Sequence, residues 1–282
     1  MRQYSETIMK AVFFITACVS IIAVLLICIF LFASGVPAIK EIGFADFLLG
    51  SSWKPGQGLY GIFPMIIGSI YVTAGAIIIG VPIGVFCAVY MAKYCPPGIY
   101  RLLKPDVELL AGIPSIVYGF FGLMVIVPMI QNTLGGSGKS LLAASILLGI
   151  MILPTIIGVA ESNIRAVPEQ YYEGALALGA SKERSIFKTV LPAAKMGILA
   201  GVVLGVGRAI GETMAVVMVC GNQAIMPSGI TDGVRTLTAN IVLEMGYAAG
   251  LHREALIATA VVLFVFILII NIALSCIRRR TD

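Results

Sequence analysis

Charge is what this sequence has least of. Asp, Glu, Lys and Arg supply 12% of its 282 residues, about half the share found in soluble domains. Apolar residues take their place: 59% of positions are hydrophobic and mean hydropathy is +1.03. One or two domains of this total length cannot hide so much apolar surface from water, so the solvent of this chain is lipid. Histidine is nearly missing as well. His252 is the single one, and it reads as a wet side chain near an interface, not as a metal ligand. The six cysteines, at 18, 28, 87, 95, 220 and 276, form no CxxC and lie in or beside apolar runs. They read better as small hydrophobes than as a disulfide framework or a zinc site. No constellation of His, Cys and Asp gathers in one compartment, so an enzyme is not expected.

Long apolar runs are what is there. After ten mixed residues the chain is apolar from Ala11 to Ala33, 23 residues, whereas a secretory core runs to roughly 15. At ~1.5 Å per residue the run crosses a hydrocarbon core of ~30 Å; a retained first span is expected, a signal anchor being the alternative. Further runs over 62–92, 107–130, 141–164, 197–221 and 255–277 predict an all-α polytopic membrane protein of six transmembrane helices. The second is too long for an untilted span, and Gly80, Pro82 and Gly84 would let it kink or project. The expected organisation is a first span plus interfacial segment (1–61), a core of five helices (62–277) containing a polar loop (165–196), and a basic tail (278–282).

Basic residues set the orientation. With the N-terminus inside, one side holds Arg2, Lys10, Lys93, Arg101, Lys104, Arg165, Lys182, Arg184, Lys188, Lys195, Arg278, Arg279 and Arg280, and the other holds Lys40, Lys54, Lys139, Arg235 and Arg253. Both termini are therefore expected in the cytoplasm, and the net charge of +5 reflects membrane anchoring, not nucleic-acid binding. The segment Gly35–Gly61, with Phe44, Phe47, Leu48, Leu49 and Trp53, suits a piece lying in the outer interface. The stretch Glu161–Lys195 is long and polar enough to dock a soluble partner.

Two apparent nucleotide motifs fail. Gly135–Ser140 places Thr133 where a phosphate loop needs its leading glycine and falls on the outer side; Gly205–Gly211 has its third glycine one place late and lies within a span. Glycine instead recurs every four residues at 197, 201 and 205, allowing close helix approach. Positions 201, 205, 208 and 212 share one helical face, which carries Arg208 and Glu212 as an (i, i+4) pair at mid-membrane. Such a pair is costly against lipid; it either locks the bundle or lines a substrate path, and the second reading is favoured. In the polar loop Pro168 can start a helix, Gly179 suits a left-handed C-terminal cap, and Ser181 can cap a second helix running towards Leu191-Pro192. Tyr171, Ala175 and Leu178 then form one stripe.

Glu173-Gly174-Ala175-Leu176-Ala177-Leu178-Gly179, nine residues, then Thr189-Val190-Leu191-Pro192 resembles the EAA loop of ATP-binding-cassette importer permeases, with Gly174 and Thr189 as departures. Gly207-Arg208-Ala209-Ile210-Gly211-Glu212-Thr213-Met214-Ala215-Val216, together with Ala111-Gly112-Ile113-Pro114-Ser115-Ile116-Val117-Tyr118-Gly119, closely resembles the PstC branch of phosphate permeases. The resemblance implies a type I importer fold in a bacterial or archaeal plasma membrane. It implies a PstA-like second permease, a PstB-like cytoplasmic ATPase dimer that binds ATP and Mg, a PstS-like external phosphate-binding protein, and no cofactor in this subunit. It assigns Tyr171, Glu173, Gly174, Ala175, Leu178 and Gly179 to ATPase coupling, and Arg208, Glu212, Thr213, Ser115 and Tyr118 to the phosphate path. A sulfate or molybdate permease is the nearest alternative. A secondary transporter is more distant, because no internal repeat is evident.

Overall fold

The computed structural model describes residues 2–279. The last three residues of the expected basic tail, 280–282, lie outside the described residues. The chain is helical almost throughout. α1 (Arg2–Ile42) is followed by a short α2 (Phe44–Leu49) and a two-stranded hairpin, β1 (Trp53–Lys54) and β2 (Leu59–Tyr60), paired antiparallel with Trp53 opposite Tyr60. α3 (Phe63–Val89) ends in a π turn at Tyr90–Tyr94, and α4 (Pro97–Gly112) follows. α5 (Ser115–Phe121) passes through a second π turn, Gly122–Ile126, into α6 (Val127–Leu134). Then come α7 (Leu141–Arg165), α8 (Glu169–Ala177), α9 (Lys182–Ser185) with a π turn at Ile186–Val190, and α10 (Leu191–Gly211). α11 (Met214–Val219), α12 (Leu237–Glu244) and α13 (Leu251–Arg279) complete the order.

Among the described residues, six helical runs are long and apolar enough to cross a membrane: Met9–Ile42, Phe63–Tyr94, Ser115–Leu134, Leu141–Arg165, Lys182–Gly211 and Leu251–Ala273. α7 is the central post. Leu147, Leu148, Met151, Ile152 and Ile156 on it are at most 2% exposed. Glycines on both flanking helices let it be approached closely. A Cβ on Gly80 of α3 would stand 2.7 Å from the Gly149 carbonyl oxygen, and one on Gly205 of α10 would stand 2.8 Å from Ile156 Cγ1. α3 therefore runs through Pro82 as one helix, and its glycines serve contact with α7 instead of a break. The Gly197, Gly201 and Gly205 stripe likewise packs on α7, against Asn163, Val159, Ala160 and Ile156.

α1 stands apart from this post. It pairs with α13, where Gly35 meets Ala258 and Val261 and Phe32 stacks edge-on with Phe264 at 5.9 Å. Along most of its length Phe13, Phe14, Ile21, Leu26 and Ile29 remain more than half exposed, as expected of a helix bathed in acyl chains. Its helix continues through Pro37 to Ile42, nine residues past the expected end at Ala33. The segment after α1 is only partly interfacial. Phe44 and Leu49 are about 70% exposed, but Phe47, Trp53 and Tyr60 are buried against Ile62, Met65, Leu237 and Leu256, so α2 and the hairpin cap one end of the bundle. α8 and α9 lie at the other end.

Two expected helices are broken. The run 107–130 is split at Ile113-Pro114, both extended (ψ 128 and 140), because the residue before a proline disfavours the helical region. The run 197–221 is split at Glu212 (ψ 133).

Candidate functional site

The second break organises the middle of the bundle. α10 stops at Gly211, α11 restarts at Met214, and two residues between them lie off the helix. Ending a helix inside a span frees N–H and C=O groups that lipid cannot satisfy, and local side chains meet that demand. Glu212 Oε1 accepts from the N–H groups of Thr213 (3.1 Å) and Ala215 (3.2 Å). Its carbonyl accepts from Thr238 Oγ1 at 3.2 Å, and Thr213 Oγ1 donates to the Gly211 carbonyl at 3.2 Å. Glu212 thus caps α11, and a carboxylate suits a helix N-terminus.

The expected Arg208–Glu212 ion pair does not form. Once the helix breaks, the two residues no longer share a face, and the freed backbone donors beside Glu212 claim its carboxylate. Arg208, half-buried, sends Nη1 across to Thr155 Oγ1 at 3.2 Å. Thr155, at mid-length of α7, is a residue that sequence reasoning missed; its signal was a hydroxyl beside Pro154, in the apolar stretch between Ser145 and Glu161.

Ser115 and Tyr118 sit just past the first break. Ser115 opens α5, half-buried. Tyr118 is buried and donates its hydroxyl to the Leu110 carbonyl at 2.9 Å, which laces α5 back to α4 across the gap. The two restarted helices touch: a Cβ on Gly119 would lie 2.9 Å from Ala215 Cα. Both breaks, and Thr213 with them, are brought to one region. Ser115, Arg208 and Thr213 are each partly exposed there.

A second feature is the helical hairpin at the α8 end. Pro168 precedes α8, and Gly179 turns the chain at φ +84 with the Ala180 N–H returned to the Ala175 carbonyl at 3.1 Å, the left-handed cap that glycine adopts without strain. Ser181 Oγ accepts from the Arg184 N–H at 3.3 Å and starts α9. The second helix does not stop at Leu191-Pro192; it runs on into α10, with the π turn at Ile186–Val190 just before Pro192, where the regular hydrogen-bond ladder is already interrupted. Leu178 is 92% exposed and Tyr171 53%, Glu173 and Gly174 are exposed and Ala175 is partly so. Leu178 lies one residue beyond α8, so it extends the Tyr171–Ala175 stripe from the turn. Beneath, Tyr172 and Val167 pack on Ala88, Ile164, Ile186 and Val190, and Lys93 Nζ holds Glu169 Oε2 at 3.2 Å.

At the opposite end a buried carboxylate gathers distant parts of the chain. Glu244 accepts from Trp53 Nε1 (2.9 Å) and Arg235 Nη1 (2.6 Å), and pairs with His252 Nε2 (2.9 Å). His252 is therefore a half-buried partner in a polar network, and not the wet surface residue expected, because the hairpin covers it. Burial works against the charge of Glu244, but the bonds from Trp53, His252 and Arg235 outweigh it and hold its carboxyl below the ordinary value. Glu161 is the counterpart at the α8 end, 1% exposed and bound by Tyr100 (3.0 Å), Lys104 (2.9 Å) and Arg165.

Spans closely packed on one post, two helix breaks bearing polar side chains, and an exposed helical hairpin at one end define a polytopic membrane protein. Residues 80–282 match the family described as binding-protein-dependent transport system inner membrane component. The chain belongs to that family. Among its relatives is the probable ABC transporter permease protein YqgH of Bacillus subtilis, 39% identical over 91% of this chain and 87% of the relative. The phosphate transport system permease protein PstC of Mesorhizobium japonicum is 35% identical over 86% of this chain and 81% of its own. Among solved structures, a bacterial ABC transporter that imports the acidic polysaccharide alginate superimposes with a TM-score of 0.65 at 15% identity, covering 99% of both chains. The MetNI methionine ABC transporter, in an inward-facing form, gives 0.59 at 21% identity over 82% of this chain and 100% of that one. The importer permease fold follows, and with it a multi-pass membrane component that is not itself an enzyme.

Proposed function

We propose that this chain is the PstC-type permease of an ATP-driven phosphate importer in a bacterial or archaeal plasma membrane, with both termini and α8 in the cytoplasm. The observation that carries the reading is the likeness to PstC proteins of several bacteria at 33–35% identity over most of the chain. The mid-membrane chemistry is compatible with it. A guanidinium has five N–H donors in a fixed fork; one serves Thr155, and the others remain for the oxygens of a phosphate, charged at any cellular pH. Glu212 has committed one carboxylate oxygen to α11; the other can accept a proton-bearing oxygen of hydrogen phosphate, a group that sulfate lacks. Thr213, Ser115 and Tyr118 border the same path.

A PstA-like second permease completes the path and covers the exposed apolar side chains of α5, including Ile116, Val117 and Phe120. A PstB-like ATPase pair, which binds ATP and Mg, receives α8 through Tyr171, Glu173, Gly174, Ala175, Leu178 and Gly179, and a PstS-like phosphate-binding protein delivers the ion from outside. Phosphate uptake by membranes carrying the complete complex tests the reading. Arg208→Lys keeps the charge and loses the fork, so uptake falls at least tenfold while the complex still assembles. Full uptake in Arg208→Lys rejects paired contact with the anion.

A further inference from the structure

At the α8 end a cavity of about 340 Å³ opens between four elements. The π turn after α3 contributes Lys93, the last residue of α7 contributes Arg165, the first turn of α8 contributes Glu169 and Tyr172, and the start of α9 contributes Lys182. Three cations thus face one carboxylate. Glu169 is committed to Lys93 at 3.2 Å. Arg165 is bound to Glu161 and donates Nη2 to the Met91 carbonyl at 2.8 Å, but Glu161 lies outside the lining and is shared with Lys104 at 2.9 Å. Lys182 has no carboxylate partner among the described residues; its ammonium stands over the Tyr94 ring at 5.1 Å. The space equals on the order of ten waters, ample for a tetrahedral oxyanion and its hydration.

We propose that this cavity is a phosphate-group site, taking either free inorganic phosphate or the headgroup of an anionic lipid, held between Lys182, Arg165 and Lys93. The lining carries donors on several sides of one space, which suits a ligand with acceptor oxygens pointing several ways. Arg165 and Lys182 come from elements that no ion pair among the described residues ties together, so an anion between them closes the gap. Basic pockets at the cytoplasmic ends of spans are where phosphate headgroups are captured. The bound anion competes with Glu169 for Lys93 and so slackens the tie on the first turn of α8. That consequence, unlike binding itself, rests on the coupling role proposed for α8.

The test uses the full chain in nanodiscs, in an Arg208→Gln background so that the mid-span arginine contributes nothing. Inorganic phosphate is titrated by calorimetry into discs of neutral lipid, and phosphatidylglycerol retained from mixed discs is counted by native mass spectrometry. Lys182→Gln weakens whichever ligand binds by roughly tenfold, and Glu169→Gln, which removes the lining carboxylate and frees Lys93, strengthens it roughly fivefold. Opposite responses from two neighbours cannot come from misfolding. Saturable phosphate binding with this pattern identifies a soluble ligand; retained lipid with this pattern and no phosphate binding identifies a headgroup. Binding of neither, or equal binding in all three proteins, overturns the proposal. Neither readout involves ATP hydrolysis or uptake, so failure here leaves the coupling role of α8 standing, and failure of that role leaves the binding result intact.

Discussion

Glu212 illustrates how much a single carboxylate can be asked to hold. Its side-chain oxygen accepts from two N–H groups and caps α11, while its backbone carbonyl separately receives Thr238, so removing the carboxylate uncaps α11 and leaves the Thr238 bond in place. Glu212→Ala is expected to lower stability by about 1 kcal/mol, the usual cost of losing a cap, read as an earlier transition in detergent unfolding. Glu212→Gln keeps an acceptor and leaves stability nearly unchanged. Equal losses in both variants would show that the charge, not the cap, matters. Glu244 makes a different demand. Its carboxyl titrates lower in the folded chain than in the unfolded one, so its stabilisation is complete above the ordinary value of 4.5 and fades as pH falls through the folded value. The melting temperature is therefore expected to drop as the medium is acidified below pH 4.5, and to drop less steeply in Glu244→Gln. Parallel curves for the two proteins would remove Glu244 from the acid response. The sequence did not announce this network, because Trp53 and Glu244 lie 191 residues apart and no local pattern links them.

At the scale of elements, legibility followed the strength of the local signal. The six spans were readable because apolar runs of that length have no other outcome in water. The α8–α9 hairpin was readable because Pro168, Gly179 and Ser181 each carry a local backbone preference, realised here as a helix start, a φ of +84 and a side-chain cap. The break at Glu212 was not, since no proline marks it and the capping carboxylate looked like half of an ion pair. Ile113-Pro114 did carry a breaker, but the apolar run continued across it. Gly179 separates conformation from packing cleanly, because nothing lies within 4 Å of where its Cβ would be. In Gly179→Val the whole cost is the left-handed backbone, roughly 1–2 kcal/mol, and it falls on the turn alone. Transport is expected to uncouple from ATP hydrolysis while membrane insertion stays normal. Wild-type stimulation of the ATPase by the binding protein in Gly179→Val would contradict a mechanical role for this turn.

Across the whole molecule, the run Lys182–Gly211 is one rod of 30 residues, about 45 Å long. It lies along α7 for most of that length: Ile186 and Val190 pack with Ile164, Gly197 meets Asn163, and Gly201 and Gly205 meet Val159, Ala160 and Ile156. Seated so, the rod has no free arm. It is a pushrod: a displacement at α9 arrives undiminished beside Arg208 and the break at Glu212, and carries α7 with it. Spin labels at positions 188 and 211 are expected to shift equally against α1 between two states of the transport cycle, and to keep their distances to α7. Unequal shifts would mean that the rod pivots on its glycine contacts.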